Sequence, residues 1–159
     1  MKLFCFASRS LDNVWLGVKA RKWAVATVSD SAMKGRITKA ERYFVRGVHG
    51  LLYCNPTQSF MVPFIASSTA DPEIVVRDIW PTAWVLPFSI RPLGDPRRQV
   101  KMDDAMARWP ILIRKQEERG IKSVTAALNI TGATVFSPTD ITEEDWEIIL
   151  ADLAIEPEY

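Results

Sequence analysis

Histidine is nearly absent from the chain: His49 stands alone among 159 residues. That removes most reactions built on an imidazole base or a histidine-ligated metal. His49 lies in a strand-like segment between Gly47 and Gly50, with no Ser or Cys elbow motif beside it, so it reads as structural. Cysteine is almost as scarce. Cys5 and Cys54 match no zinc or redox spacing, and two thiols of this kind suit a reducing, cytoplasmic setting, with a Cys5–Cys54 disulfide left open. No apolar run approaches the ~20 residues of a membrane-spanning helix, and the opening Met1-Lys2-Leu3-Phe4-Cys5-Phe6 is too short for a signal peptide. Glycine occurs 7 times, and its one cluster, Arg46-Gly47-Val48-His49-Gly50, lacks the spacing and the Lys-Ser/Thr of a phosphate loop. The acid pairs Asp103-Asp104 and Glu117-Glu118 are sequence neighbours, which do not share a helix face, and read as solvated surface. These absences point to a protein that binds rather than reacts, with no metal and no cofactor.

What is present fits one globular domain over 1–159. Hydrophobic content of 48% and charged content of 25% are ordinary, and the length suffices to bury a core. The net charge of +1 conceals an asymmetry. Residues 1–69 hold ten Lys/Arg against three acids, whereas eight acids and no base follow Lys122. A footprint for an anionic polymer therefore belongs to the N-terminal half.

Residues 3–8 form a short strand in this reading. Ser10 or Asp12 caps a helix over 11–21, and 22–28 alternates as a strand. Asp30 or Ser31 opens a second helix ending near Glu41. Strands over 49–55 and 60–69 flank a turn at Asn55-Pro56-Thr57-Gln58. Pro63 lacks a backbone donor, so its strand is expected to be an edge or to bulge there. A long connection leads to a strand over 84–93 containing Pro87. Helical material resumes over 102–119, where Pro110 starts or interrupts a helix. Thr142 caps a last helix whose first turn carries Glu143, Glu144 and Asp145 and whose Trp146, Ile149, Leu150 and Leu153 share a face. The fold class is α+β: a curved, partly barrel-like sheet flanked by helices.

The 6 tryptophans are the distinctive content. Trp109 and Trp146 sit in apolar helical stretches and read as core. Trp15, at helical spacing from Leu11 and Val18, is expected on a packed face. Trp23 opens a strand directly after a basic helix, Trp80 lies in the long connection, and Trp84 begins the next strand. Residues at strand ends and adjoining loops line pocket mouths, and a stacked base gains about 1–3 kcal/mol per indole.

The order of these features resembles the YTH and EVE families of the PUA-like superfamily. The matching segment runs over 4–94: Asn13-Val14, a short helix, Trp23 ten residues after the asparagine, a helix, strand HGLLYC, a polar turn, a strand from Phe60 to Ser67-Ser68, a loop with Trp80, and a strand with Leu86-Pro87-Phe88. The helix start at Thr142–Trp146 also looks like EVE proteins. Ala24 departs from the small hydroxyl residue usual in YTH domains, and Pro63 and Pro87 interrupt strands.

The resemblance implies a non-catalytic reader of a modified nucleobase held in an aromatic cage. Asn13 would meet the base edge, with Trp23 and Trp80, or Trp84 in its place, around the methyl group; Ser8, Ala24 and Asn55 are secondary pocket candidates. Arg9, Lys19, Arg21, Lys22 and the cluster Arg97, Arg98 and Lys101 are candidates for phosphates. N6-methyladenine in DNA is the first expectation, methylated or hydroxymethylated cytosine the second, and RNA the third. The implied partners are nucleic acid and a nuclease or motor subunit or domain, the chain being the specificity module of a modification-dependent restriction system. Two rivals of other classes are a small nucleotide-processing enzyme using His49 and an acid in the same cleft, and a protein-interaction module presenting the acidic C-terminal part.

Overall fold

The computed structural model describes residues 1–121, 123–130 and 134–156. Strand β1, Lys2–Ser8, is apolar on both of its faces. Phe4 and Phe6 enter one core while Leu3 and Cys5 enter a second on the opposite face. A strand buried on both sides has no polar alternation to display, which is why this one reads as a continuous apolar run.

Helix α1, Leu11–Ala20, is capped by Ser10, whose hydroxyl accepts from Asn13 N–H at 3.1 Å, and closes at Arg21 with a left-handed φ of 54°. Strand β2, Lys22–Ala26, ends two residues short of the expectation. Helix α2, Asp30–Tyr43, is capped by Ser29 rather than Asp30 or Ser31 and runs on past Glu41. Strand β3, His49–Cys54, then pairs in parallel with β1. A turn over Asn55–Gln58 returns the chain along β4, Ser59–Ala66. The long connection contains the two-residue β5, Val75–Val76, before β6, Trp84–Pro92. Two more short strands, β7 at Val100–Lys101 and β8 at Thr139–Asp140, complete the sheet. The order is β2-β6-β4-β3-β1-β8, with β5 on β6 and β7 on β4.

This sheet bends at two matching places. In β4 the register with β3 slips between Gly50–Phe64 and Leu52–Met61, and in β6 the register with β2 slips between Trp23–Phe88 and Val25–Val85. Each slip holds one extra residue with positive φ, Val62 and Leu86, both at 54°. Each is followed by proline and phenylalanine: Val62-Pro63-Phe64 and Leu86-Pro87-Phe88. Proline cannot donate to a ladder, and a bulge is where a central strand tolerates it. Both strands change partner nearby: β4 pairs with β7 before its bulge and β6 after it, and β6 pairs with β2 before Ile90 and β4 from Ile90 on. The bends curl the strands around Phe6, Phe44, Phe64, Phe88 and Phe136. Gly50 is needed at one bend, because a Cβ there would lie 2.0 Å from the Phe64 ring that crosses it.

The outer face of β1, β3 and β4 is covered by four helices: α3 Met102–Arg108, α4 Pro110–Arg119, α5 Val124–Ala127 and α6 Glu143–Leu153. Pro110 starts α4 rather than breaking a longer helix, its missing N–H being one that a first turn leaves unbonded anyway. Trp109 and Trp146 are buried in this second core. Thr142 and Asp145 form a reciprocal capping box, and Asp145, fully buried, receives a bidentate hydrogen-bonded pair from the Arg114 guanidinium. Burial opposes ionisation of Asp145, but Arg114 and the Thr142 N–H outweigh it and hold the carboxyl below the usual carboxylate range. Cys5 and Cys54 are free and belong to opposite cores, and burial pushes the Cys5 thiol far up. Among the described residues no helix is long and apolar enough to cross a membrane.

Trp15 corrects an expectation. It is 40% exposed, because α1 packs through Val14 and Gly17, the two residues it buries fully.

Two outcomes are expected. Gly50→Ala should destabilise the fold by about 1–3 kcal/mol, since its methyl group has no space beneath Phe64; an unchanged melting temperature would place Phe64 elsewhere. A depressed carboxyl pKa stabilises the fold above the unfolded value and loses that contribution as pH falls through the folded one. The melting temperature should therefore drop as pH falls below about 4, and Asp145→Asn should flatten that drop while lowering stability at neutral pH by about 3 kcal/mol. Parallel acid profiles for parent and variant would contradict the role given to this pair.

Candidate functional site

In the sheet order β2 and β1 stand four ladders apart, yet curvature turns them toward one another. Among the described residues, strand β1 has a second neighbour, β8, only at Lys2 and Leu3. Its later residues therefore face a seam, with β2 on the other side. A cavity of about 340 Å³ opens there, lined by Phe6 and Ala7 of β1, Trp23 through Ala26 of β2, and Asn13 of α1. Arg9, Arg36 of α2, Pro81, Thr82, Trp84, Ile130 and Val135 complete its described wall. The size is that of a small-ligand pocket, mostly apolar with a few polar groups.

The three tryptophans meet beside it. Trp23 lies across both others, 5.6 Å from Trp80 at 79° and 5.2 Å from Trp84 at 74°. Trp80 and Trp84 stack at 4.1 Å and 15°. A ring inserted between two parallel indoles needs roughly 7 Å between them, about 3.5 Å on each face, so that gap is closed. Trp84, rather than Trp80, lines the cavity with Trp23. Trp80 backs it and is tied to α1, its Nε1 donating to the Asn13 carbonyl at 3.0 Å. Trp84 Nε1 donates to Thr82 Oγ1 at 3.2 Å. Trp84 is 9% exposed against 1% for Trp23, so it is the more open of the two.

Asn13 is held by its backbone: its N–H donates to Ser10 Oγ and its carbonyl accepts from Trp80. Its side-chain amide makes no hydrogen bond among the described residues, and the residue lines the cavity. It carries both a donor and an acceptor, which suits the edge of a heterocycle. Ala24 also lines the cavity, contributing only a methyl group.

The other expected residues lie elsewhere. Ser8 is buried, its hydroxyl donating to the Ser10 carbonyl at 2.7 Å, and Asn55 is an exposed turn residue whose N–H donates to the Ser8 carbonyl. Of the basic candidates only Arg9 reaches the cavity. Lys19 flanks a hollow on the outer face of α1 beside Trp15, and Lys22 one between β6 and the loop that follows β4. Arg21 and Arg97 line a groove at the far end of β6, where Arg97 is paired bidentately with Asp95. Arg98 closes the C-terminus of α6 by donating to the Ala151 and Ala154 carbonyls, and Lys101 donates to the Thr57 carbonyl at 2.8 Å. His49 is at the opposite end of β3 from the cavity, against Trp146 at 4.6 Å. Burial and the N-terminal ammonium keep its pKa below the ordinary histidine value. No acid lies among the described cavity residues, so the His-and-acid pair of the enzymatic reading is not assembled there. Among the described residues no group of three or more metal-ligating side chains comes together.

Gly17 and Arg36, which shape this site, are among the residues not anticipated. Gly17 lets α1 lie flat on the Trp23 indole, where a Cβ would come within 2.7 Å of the ring. Arg36 is half-buried and donates from Nη1 to the Ala26 carbonyl at 3.1 Å, and burial pulls its pKa down. A glycine on the helix side nearest Trp23 was a readable signal; an arginine inside a mostly polar helix was not.

No protein-family model and no curated protein matches the chain. Solved structures do. The YTH domain of Zygosaccharomyces rouxii MRB1, solved in complex with N6-methyladenosine RNA, is 19% identical with a TM-score of 0.58, over 94% of this chain and 84% of that one. The Pho92 YTH domain, solved in complex with m6A, is 17% identical with a TM-score of 0.57, over 94% and 81%. Protein Atu2648 of Agrobacterium tumefaciens is 14% identical with a TM-score of 0.51, over 98% of this chain and all of that one. Likeness at these identities speaks for architecture, and the architecture of this chain is the YTH fold.

Proposed function

We propose that this chain is a non-catalytic reader of a modified nucleobase, N6-methyladenine first, which it takes into the cavity between β1 and β2. The carrying observation is that Trp84, Trp23 and Asn13, whose side-chain amide makes no hydrogen bond among the described residues, meet on one small cavity. An indole face offers stacking to any base, and the amide offers paired donor and acceptor to its edge. Burying the methyl group adds only about 1 kcal/mol by area, so selectivity depends on a close fit against rigid walls. The Trp80–Trp84 stack supplies that rigidity. The two YTH domains solved with methylated adenine support this choice of base, and one of those complexes contains RNA. DNA as the carrier, and service as the specificity module of a modification-dependent restriction system with a partner nuclease, is the finer reading that the sequence resemblance favours. In a duplex the base must first leave the stack, at a cost of a few kcal/mol.

The test is a binding panel of matched RNA and DNA oligonucleotides, single- and double-stranded, unmodified or carrying one methylated adenine or cytosine. Preference for the N6-methyladenine member is expected, and indifference to every modification would remove the reading. Trp84→Ala should lose about 1–3 kcal/mol of base stacking and most methyl preference, while weak salt-sensitive binding survives. Trp80→Phe, which keeps a ring behind Trp84, should retain the larger part of both; the reverse ranking would make Trp80 the wall. Asn13→Ala should weaken binding roughly fivefold or more, as loss of a hydrogen bond of about 1 kcal/mol does, with an unchanged melting temperature because the structural bonds of Asn13 are backbone ones. A large drop in melting temperature would assign the side chain to the fold instead.

A further inference from the structure

A groove of about 760 Å³ lies at the far end of β6, where the last turn of α1 and the end of α6 converge. Its floor is aliphatic: Val18, Leu93, Leu150 and Ile155 line it, each half-buried. Local contacts hold this floor in place. Gly94 lets the end of α6 come close, since a Cβ there would lie 2.5 Å from the Leu153 carbonyl oxygen. The Ile155 N–H donates to the Leu93 carbonyl at 2.9 Å, and Arg98 closes the helix end. The floor also continues onto the outer face of α1, because Val18 lines the hollow beside the exposed Trp15 as well.

Two cations border this floor. The Ile90 N–H donates to the Arg21 carbonyl at 3.0 Å, which sets the backbone of Arg21 beside that of Arg91. Arg97, the third arginine of the groove, is paired with Asp95. Neither Arg21 nor Arg91 has a side-chain hydrogen bond or ion pair among the described residues. Two neighbouring guanidiniums without a protein partner, beside an aliphatic floor, suit a ligand with carboxylates next to branched apolar side chains. Nucleic acid suits the groove less. Its described lining has no aromatic ring to stack a base, and Asp95 and Glu156 would repel phosphates. We propose that the groove docks an acidic, aliphatic segment of a partner protein, with carboxylates on Arg21 and Arg91 and Leu, Ile or Val side chains on the floor. A floor fixed beforehand lowers the ordering cost of such docking. The groove and the seam cavity have no described lining residue in common, so a partner and a base can be held at once.

A phage-displayed library of random peptides about 12 residues long, enough for anchors one and two helical turns apart, tests this on the full chain. It is selected on the parent and counter-selected on the double variant Arg21→Glu/Arg91→Glu. Enriched peptides should combine paired acids with Leu, Ile or Val. Made as fluorescein-labelled peptides, they should lose about tenfold or more in affinity when their Glu residues are replaced by Gln. The double variant should bind them no better than it binds those neutral copies. Ile155→Ser, which keeps the backbone bond to Leu93, should weaken binding several-fold with both arginines in place. Melting curves like the parent's show that these losses are local, and Arg91→Gln alone should still weaken binding if the Arg21 change disturbs the end of α1. No enrichment, enriched peptides without acids, or equal affinity for the double variant overturns the proposal. An unmodified single-stranded oligonucleotide that displaces the peptide and loses affinity in the double variant would also overturn it, assigning the groove to nucleic acid. Self-association seen by sedimentation and abolished in the double variant would assign the groove instead to a second copy of the chain.

Discussion

Two residues with positive φ, Val62 and Leu86, set the shape on which the rest of this molecule depends. Neither is glycine, and Val62 is β-branched, so each conformation costs on the order of 1–3 kcal/mol locally. Each is followed by a proline that donates nothing to the ladder and a phenylalanine that is buried in the inner core. The local strain is offset by burial of the phenylalanines and by new pairings beyond each bulge, where β4 gains β6 and β6 gains β4. A flat sheet would leave β2 remote from β1. Bent twice, it brings their edges to the same cavity.

That seam is stiffened from behind. The Trp80 indole joins three pieces of chain that are distant in sequence: its Nε1 holds the Asn13 carbonyl of α1, its face lies on Trp84 of β6, and Trp23 of β2 abuts both. Gly17 completes the arrangement by letting α1 settle onto Trp23 without a side chain between them. Selectivity for one methyl group is a difference of about 1 kcal/mol from area alone, and only walls that do not relax can enlarge it. In the function proposed, the aromatic cluster therefore serves as a brace with one working face rather than as three equal walls.

Much of this was legible in the sequence, and the failures have physical causes. Trp23 and Asn13 were marked by position, one at a strand start and the other within a capped helix, and both line the cavity; what they do there is part of the proposal. Pro63 foretold its bulge because a missing N–H is a property of the residue itself. The relative roles of Trp80 and Trp84 were not readable, since which indole faces the cavity is decided by a stack between residues of a loop and a strand. Trp15 misled because Leu11, Trp15 and Val18 form an apolar stripe at helical spacing. Yet α1 packs through Val14 and Gly17, where the apolar partner is the Trp23 ring rather than a side chain of the helix. Arg36 was missed for a related reason: α2 is polar over most of its surface, and only tertiary structure decides which charged residue meets the seam. Strands β5, β7 and β8, two residues each, are too short to carry any period.

The central claim is that a methylated base lies against Trp84 in the β1–β2 seam, with Trp80 behind it. A crystal structure of the protein bound to a short single-stranded oligonucleotide carrying one N6-methyladenine tests this most directly. The account predicts the base stacked on the Trp84 face opposite Trp80, its edge on the Asn13 amide and the Trp80–Trp84 stack intact. A base inserted between Trp80 and Trp84, or bound away from the seam, would contradict it.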